Sequence, residues 1–265
     1  MKNHEIDYVL HGDDMQFVEV ELDPQETVVA EAGSLMMMED QIQMETVFGD
    51  GSANHGSGLM GKLLGAGKRL ITGESLFMTM FTNNGMGKRK VYFASPYPGK
   101  IIPMNLSELD GKIICQKDAF LAAAKGVSVG VEFQRKLGTG FFGGEGFIMQ
   151  KLEGDGMAFV HAGGTIYERK LQPGETLRID TGCLVAMTQD VNYDIEMVSG
   201  IKTALFGGEG LFFATLSGPG TVWVQSLPFS RLASRVFAAA PVTQGGGGKD
   251  AGEGGIGGLF DLFNK

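Results

Sequence analysis

Three glutamates in glycine-rich settings have the residue type and spacing that could do chemistry. Phe142-Gly143-Gly144-Glu145-Gly146-Phe147 recurs as Phe206-Gly207-Gly208-Glu209-Gly210-Leu211, a shift of 64 residues. A looser copy, Thr72-Gly73-Glu74-Ser75-Leu76, places Glu74 71 residues before Glu145. If an axis relates the copies, Glu74, Glu145 and Glu209 converge, and three carboxylates at one place can hold a hard cation or a polar ligand. The plainer reading, which we prefer, puts each Glu in a tight turn whose glycines take backbone angles closed to other residues.

The remaining motifs are weaker. Gly56-Ser57-Gly58-Leu59-Met60-Gly61-Lys62 fits both the dinucleotide pattern and the phosphate-loop pattern. The phosphate loop needs Ser or Thr next, and Leu63 stands there. The stretch also follows Gly49-Asp50-Gly51-Ser52 rather than an apolar strand, so a loop or a short amphipathic helix is expected. His4, His11, His55 and His161 form no HxH or HExxH pattern and read as isolated surface or strand residues. There is no GxSxG nucleophile elbow. Cys115 and Cys183 lie far apart and outside any CxxC, which suits reduced thiols in a cytosolic protein. No catalytic residue, metal ligand or cofactor is assigned.

The elements that must position these residues read as strands. With 42 Gly and only 8 Pro among 265 residues, in a chain rich in Val, Phe, Ile and Thr, short strands joined by tight turns are expected. Met15 to Leu22, Val127 to Phe133 and Asp194 to Val198 alternate apolar and polar, as half-buried strands do. Leu76 to Phe81 and Leu211 to Ala214 are nearly all apolar, as if buried on both faces. Asn83-Asn84-Gly85 is a hairpin signal. The Met36-Met37-Met38 run could mark an adaptable binding surface, with core filling the preferred reading.

A second repeated feature sets the frame. Leu22-Asp23-Pro24-Gln25-Glu26-Thr27-Val28 matches Leu171-Gln172-Pro173-Gly174-Glu175-Thr176-Leu177 at a shift of 149 residues, and Gly33-Ser34-Leu35-Met36 matches Gly182-Cys183-Leu184-Val185 at the same shift. The middle copy, Leu106 to Leu121, is looser. The copies close on Val91 to Ser95, Met157 to Ala162 and Thr221 to Ser226. The predicted fold is all-β, with three β-repeats (about 1–98, 99–166 and 167–228) in a pseudo-threefold sandwich and a short helix at 228–240. Together they form one domain over 1–243, with a Gly-rich loop at 50–68 and a flexible Gly-rich tail at 244–265.

Two segments suit docking. After Pro228, the residues Phe229, Leu232, Val236 and Phe237 share one side of the expected helix, with Arg231 and Arg235 on another. In the tail, Ile256, Leu259, Phe260 and Phe263 have helical spacing. Disorder is preferred there, with docking on a partner or a membrane surface as the alternative. The net charge of −9 and pI near 5.0 argue against nucleic acid. The start of the chain has no apolar signal region and no run suits a membrane span, so a cytoplasmic location is expected.

The stretch from Thr27 to Met36, the Gly-rich run into Lys68-Arg69 and Gly73-Glu74-Ser75, and the two Phe-Gly-Gly-Glu-Gly copies together resemble the altered-inheritance-of-mitochondria (mitochondrial biogenesis) family over roughly residues 5–240. The resemblance implies three β-repeats similar to the tryptophan RNA-binding attenuator, within the double-stranded β-helix group. Mitochondrial members of that family are implicated in organising the inner membrane and its protein assemblies, whereas bacterial members, which this chain resembles, have no assigned activity. The resemblance supplies no catalytic residues, and likeness to an RNA-binding ring is not evidence of RNA binding. The expected function is non-enzymatic. The chain would be an assembly or scaffold factor acting through a protein partner, a homo-oligomer or a peripheral membrane contact. A small-ligand or metal-binding β module is the alternative, and RNA binding is disfavoured by the acidic charge.

Overall fold

The computed structural model describes residues 5–48, 77–135, 147–197 and 212–240. Glycine-marked turns break the apolar stretches into nineteen strands among those residues. The first seven are β1 (Asp7–His11), β2 (Phe17–Leu22), β3 (Thr27–Glu31), β4 (Leu35–Met38), β5 (Ile42–Phe48), β6 (Phe77–Asn83) and β7 (Arg89–Ala94). Next come β8 (Gly99–Asn105), β9 (Lys112–Gln116), β10 (Phe120–Ala124), β11 (Ser128–Arg135), β12 (Phe147–Glu153) and β13 (Met157–Gly163). The last six are β14 (Ile166–Leu171), β15 (Thr176–Asp180), β16 (Leu184–Thr188), β17 (Asn192–Met197), β18 (Phe212–Ser217) and β19 (Gly220–Gln225), followed by helix α1 (Phe229–Ala239). The chain divides into two units, Met1–Leu232 and Ala233–Lys265; of the second, only residues 233–240 are described.

One antiparallel pairing scheme occurs three times. In β2 to β7 the first strand pairs the sixth, the third pairs the sixth, the second pairs the fifth and the fourth pairs the fifth. The set β8 to β13 repeats this, and so does β14 to β19. The third strand of each set carries a bulge at the same place, between Leu35 and Met37, Phe120 and Ala122, and Leu184 and Ala186. The turns before β3 and β15 also match. Glu26 N donates to Asp23 O and Glu175 N to Gln172 O, closing turns with Pro in second place and a left-handed residue third, Gln25 at φ 70° and Gly174 at φ 81°. In both turns the Glu side chain accepts from the backbone three residues back, Asp23 N at 2.7 Å and Gln172 N at 2.9 Å.

The sets are sewn together by strands from different sets. β3 pairs β10 and β9 pairs β16, so two of the four sheets have six strands. The order in the first sheet is β1-β2-β7-β4 and in the second β5-β6-β3-β10-β13-β8. The third runs β11-β12-β9-β16-β19-β14 and the fourth β15-β18-β17. One core draws on the first and second sheets, with Val20, Phe93, Phe81 and Leu121. A second draws on the second and third, with Val29, Val160, Ile113 and Trp223. A third draws on the third and fourth, with Met149, Leu184, Leu216 and Ile195. The two middle sheets therefore feed a core on each face. That is why β3 (TVVAE) and β10 (FLAAA) are near-continuous buried runs rather than alternating ones.

Three sequence readings need correction. The run through Phe212 to Ala214 is not buried on both faces. β18 alternates buried and half-buried residues, because its sheet meets a core on one side only, and the Arg178 guanidinium lies 5.4 Å above the Phe213 ring. Asn83-Asn84-Gly85 does not make a hairpin, since β6 belongs to the second sheet and β7 to the first. The buried Asn83 side chain instead ties the crossing, its Nδ2 donating to Leu22 O and Gly87 O at 2.8 Å and its Oδ1 accepting from Gly85 N at 2.8 Å. A Cβ on Gly85 would lie 2.6 Å from Gln41 Oε1, so that side chain would have to shift to admit one. Finally, Met36, Met37 and Met38 are not core; all three are exposed.

Replacing Asn83 by Ala strands two buried carbonyls and one N–H. Urea denaturation should show a loss of about 2–3 kcal/mol, and a loss under about 0.5 kcal/mol would contradict the tie assigned to Asn83.

Candidate functional site

Of the sequence-predicted site residues, Glu74, Glu145 and Glu209 lie outside the described residues, as do Leu259, Phe260 and Phe263. Among the described residues no group of three His, Cys, Asp or Glu could hold a metal ion. Phe229, Leu232, Val236 and Phe237 all fall on α1, as expected. Pro228 opens that helix, its carbonyl accepting from Arg231 N and Leu232 N. The helix buries none of its residues, and Phe229, Val236 and Phe237 are each more than half exposed.

The first turn of α1 is held by chemistry that sequence reading did not single out. Ser226 N donates to Thr165 O and Leu227 N to Gly163 O, lacing the chain before the helix onto the end of β13. Only glycine fits there, since a Cβ on Gly163 would lie 1.9 Å from Leu227 O. The buried Gln225 side chain bridges two further backbone groups, accepting from Gly163 N at 2.7 Å and donating to Gly182 O at 2.9 Å. Asp180 accepts from Gly182 N at 2.8 Å and from Arg231 Nη2 at 3.1 Å, so the first turn carries a charge-assisted bond to β15. The Phe229 ring stacks on Tyr97 at 5.3 Å, and Tyr97 meets His161 edge-on at 5.1 Å.

The titratable groups beneath Phe229 are displaced from their ordinary values. Burial, with added repulsion from Asp118 and Glu31, pushes the Tyr97 hydroxyl up to about 12. Burial pushes the His161 imidazole down to about 4, and neither ring nitrogen has a hydrogen-bond partner among the described residues. Packing around the Glu31 carboxyl, with Asp118 nearby, pushes it up to about 7. Glu31 remains exposed as a residue, so solvent screens this effect. Cys115 is fully enclosed and its thiol is pushed up to about 12, so it offers no thiolate near neutrality. These contacts anchor the first turn of α1.

The sequence did contain a signal for this anchor. Gly163-Gly164 after a strand, followed some sixty residues later by Gln225-Ser226 at the end of the corresponding strand, marks a close backbone approach. Nothing in the local sequence points to Tyr97 beneath Phe229.

The buried His161 stays neutral in the fold, whereas the unfolded chain takes up its proton below 6.5. The stability tied to this group is complete above 6.5 and drains as pH falls toward 4. Comparing urea denaturation near neutrality with that near pH 5 should show a decline on the order of 1–2 kcal/mol that shrinks in His161→Gln. An unchanged decline in that variant would refute the assignment.

Residues 8–227 match the mitochondrial biogenesis AIM24 family. An uncharacterised protein of Streptococcus pyogenes is 32% identical over 234 residues, which is 86% of this chain and 89% of that protein. The crystal structure of a Streptococcus pyogenes protein is similar at a TM-score of 0.70 and 26% identity, covering 89% of this chain and 100% of that one. The matched span begins in β1 and ends beside Pro228, taking in all three six-strand sets; the chain belongs to the AIM24 mitochondrial biogenesis family.

Proposed function

We propose that this chain is a non-enzymatic assembly factor of three β-repeats (about 1–98, 99–166 and 167–228) that binds a protein partner through α1. The recurring pairing scheme supports the division into repeats. One observation carries the functional reading, namely an amphipathic helix anchored at its first turn on which Val236 and Phe237 are more than half exposed. A helix of eleven residues draws most of its stability from packing an apolar face, so Leu232, Val236 and Phe237 want a cover.

A protein suits that cover better than a lipid surface. With a net charge of −9 the chain is repelled by anionic membranes, and Arg231 is already paired with Asp180. No helix among the described residues is long and apolar enough to cross a membrane. The rival reading, a ligand or metal module at Glu74, Glu145 and Glu209, has no support among the described residues. The acidic charge continues to weigh against RNA.

A photo-crosslinking residue in place of Phe237, in the native host, should yield a discrete protein adduct. Val236→Asp should reduce that adduct at least about tenfold without lowering the melting temperature. Absence of a protein adduct, with the purified chain floating on lipid vesicles instead, would overturn the reading.

A further inference from the structure

Two of the joints between six-strand sets are made within the chain. At β3–β10, Ala122, Ala123 and Ala124 oppose Ala30, Val29 and Val28. At β9–β16, Ala186, Met187 and Thr188 oppose Cys115, Ile114 and Ile113. Each joins the second strand of one set to the third strand of the next. The scheme leaves one strand of each kind over. β4 is the edge of the first sheet and β15 the edge of the fourth, and among the described residues each has a partner on one side only.

The leftover strands differ from their counterparts as unmade halves of a joint should. β10 is buried throughout and β16 nearly so, while Met36, Met37 and Met38 of β4 are 49%, 46% and 42% exposed. β9 buries its three central residues, whereas in β15 Leu177 and Ile179 are half-buried and Arg178 is exposed. β4 carries the same bulge that β10 and β16 carry inside their joints. It has no charge and no proline, the usual devices that keep a strand edge from pairing.

We propose that β4 of one copy pairs antiparallel with β15 of a second copy, in the register of the two internal joints. Met37 then opposes Ile179, Met38 opposes Arg178, and Glu39 opposes Leu177. The joined sheet runs β1-β2-β7-β4-β15-β18-β17, the six-strand arrangement of the middle sheets plus β1. Leu35 packs against the first core and Leu177 and Ile179 against the third, and in this register they lie on opposite faces, so the joined sheet has the first core on one face and the third on the other. Each copy offers one edge of each kind, so the contact is head-to-tail and either closes as a ring or continues as a filament. It uses no residue of α1.

Native mass spectrometry and sedimentation of the full chain should show a homo-oligomer that persists in Val236→Asp/Phe237→Asp. Met38→Lys puts a like charge opposite Arg178 and should weaken the oligomer at least about tenfold. Adding Arg178→Glu in the same chain should restore it. Met38 is exposed, so circular dichroism and melting should be unchanged in Met38→Lys; Arg178→Glu also breaks the Glu196 pair, so Arg178→Glu alone serves as its stability control. A monomeric wild type, an oligomer indifferent to Met38→Lys, failure of the Arg178→Glu rescue, or loss of the oligomer with the α1 variants would each overturn the proposal.

Discussion

Every strand at the side of a sheet leaves a row of backbone N–H and C=O groups that must find partners or face water. In this protein that requirement is met mainly by borrowing a strand from the neighbouring set. β3 accepts β10 and β9 accepts β16, so neither six-strand set finishes its own sheet. Much else follows from this choice. A sheet shared by two sets has a core on each face, and its central strands must be apolar on both sides. Val28 and Ala30 therefore serve one core while Val29, between them, serves another. Small residues suit such a strand, and Ala122, Ala123 and Ala124 stand where the joint is most enclosed.

The same scheme explains a polar contrast at the ends of β13 and β19. His161 follows Val160, which pairs Phe120, and Gln225 follows Val224, which pairs Leu184, so the two residues hold corresponding places. Gln225 is satisfied because Gly163 offers an N–H and Gly182 a carbonyl. Counting along β7 in the same way, the residue corresponding to Gly163 is Pro96, which has no N–H to give. His161 is thus left with orphaned nitrogens against the edge of the Tyr97 ring, and burial keeps it uncharged. A neutral imidazole can tolerate that apolar setting more readily than a charged one. The aromatic stack above it then gives Phe229, and with it the first turn of α1, a fixed seat.

The strands were legible in sequence largely because local chemistry and long-range pairing agree. The turn residues Pro24 and Pro173 set the starts of β3 and β15, and Pro228 with the Phe229, Leu232, Val236 and Phe237 spacing set α1. Misreadings came where local chemistry serves a distant contact. Asn83-Asn84-Gly85 has hairpin composition, yet the Asn83 amide is committed to Leu22 and so sends β7 into another sheet. β18 has a composition fit for two buried faces but lies in a sheet with a core on only one. The aromatic part of the seat of α1 was not legible, because Tyr97, His161 and Phe229 meet only after three distant segments are folded together. Glu74, Glu145 and Glu209, the most suggestive residues by spacing, fall outside the described residues, and their pattern remains a property of the sequence.

The three strands that carry the common bulge make a final comparison. Their sequences are LMMM in β4, FLAAA in β10 and LVAMT in β16. Inside a chain, the two halves of a joint fold together once and can be fitted with rigid small residues at close-packed density. A joint between separate copies must instead form from two surfaces that each spend time in water, and methionine suits that duty. Its unbranched thioether chain is apolar enough to gain from burial and flexible enough to fill an imperfect fit. The run of methionine on the strand that has one partner among the described residues, and of alanine on its enclosed counterpart, is what a division between intermolecular and intramolecular joints would select.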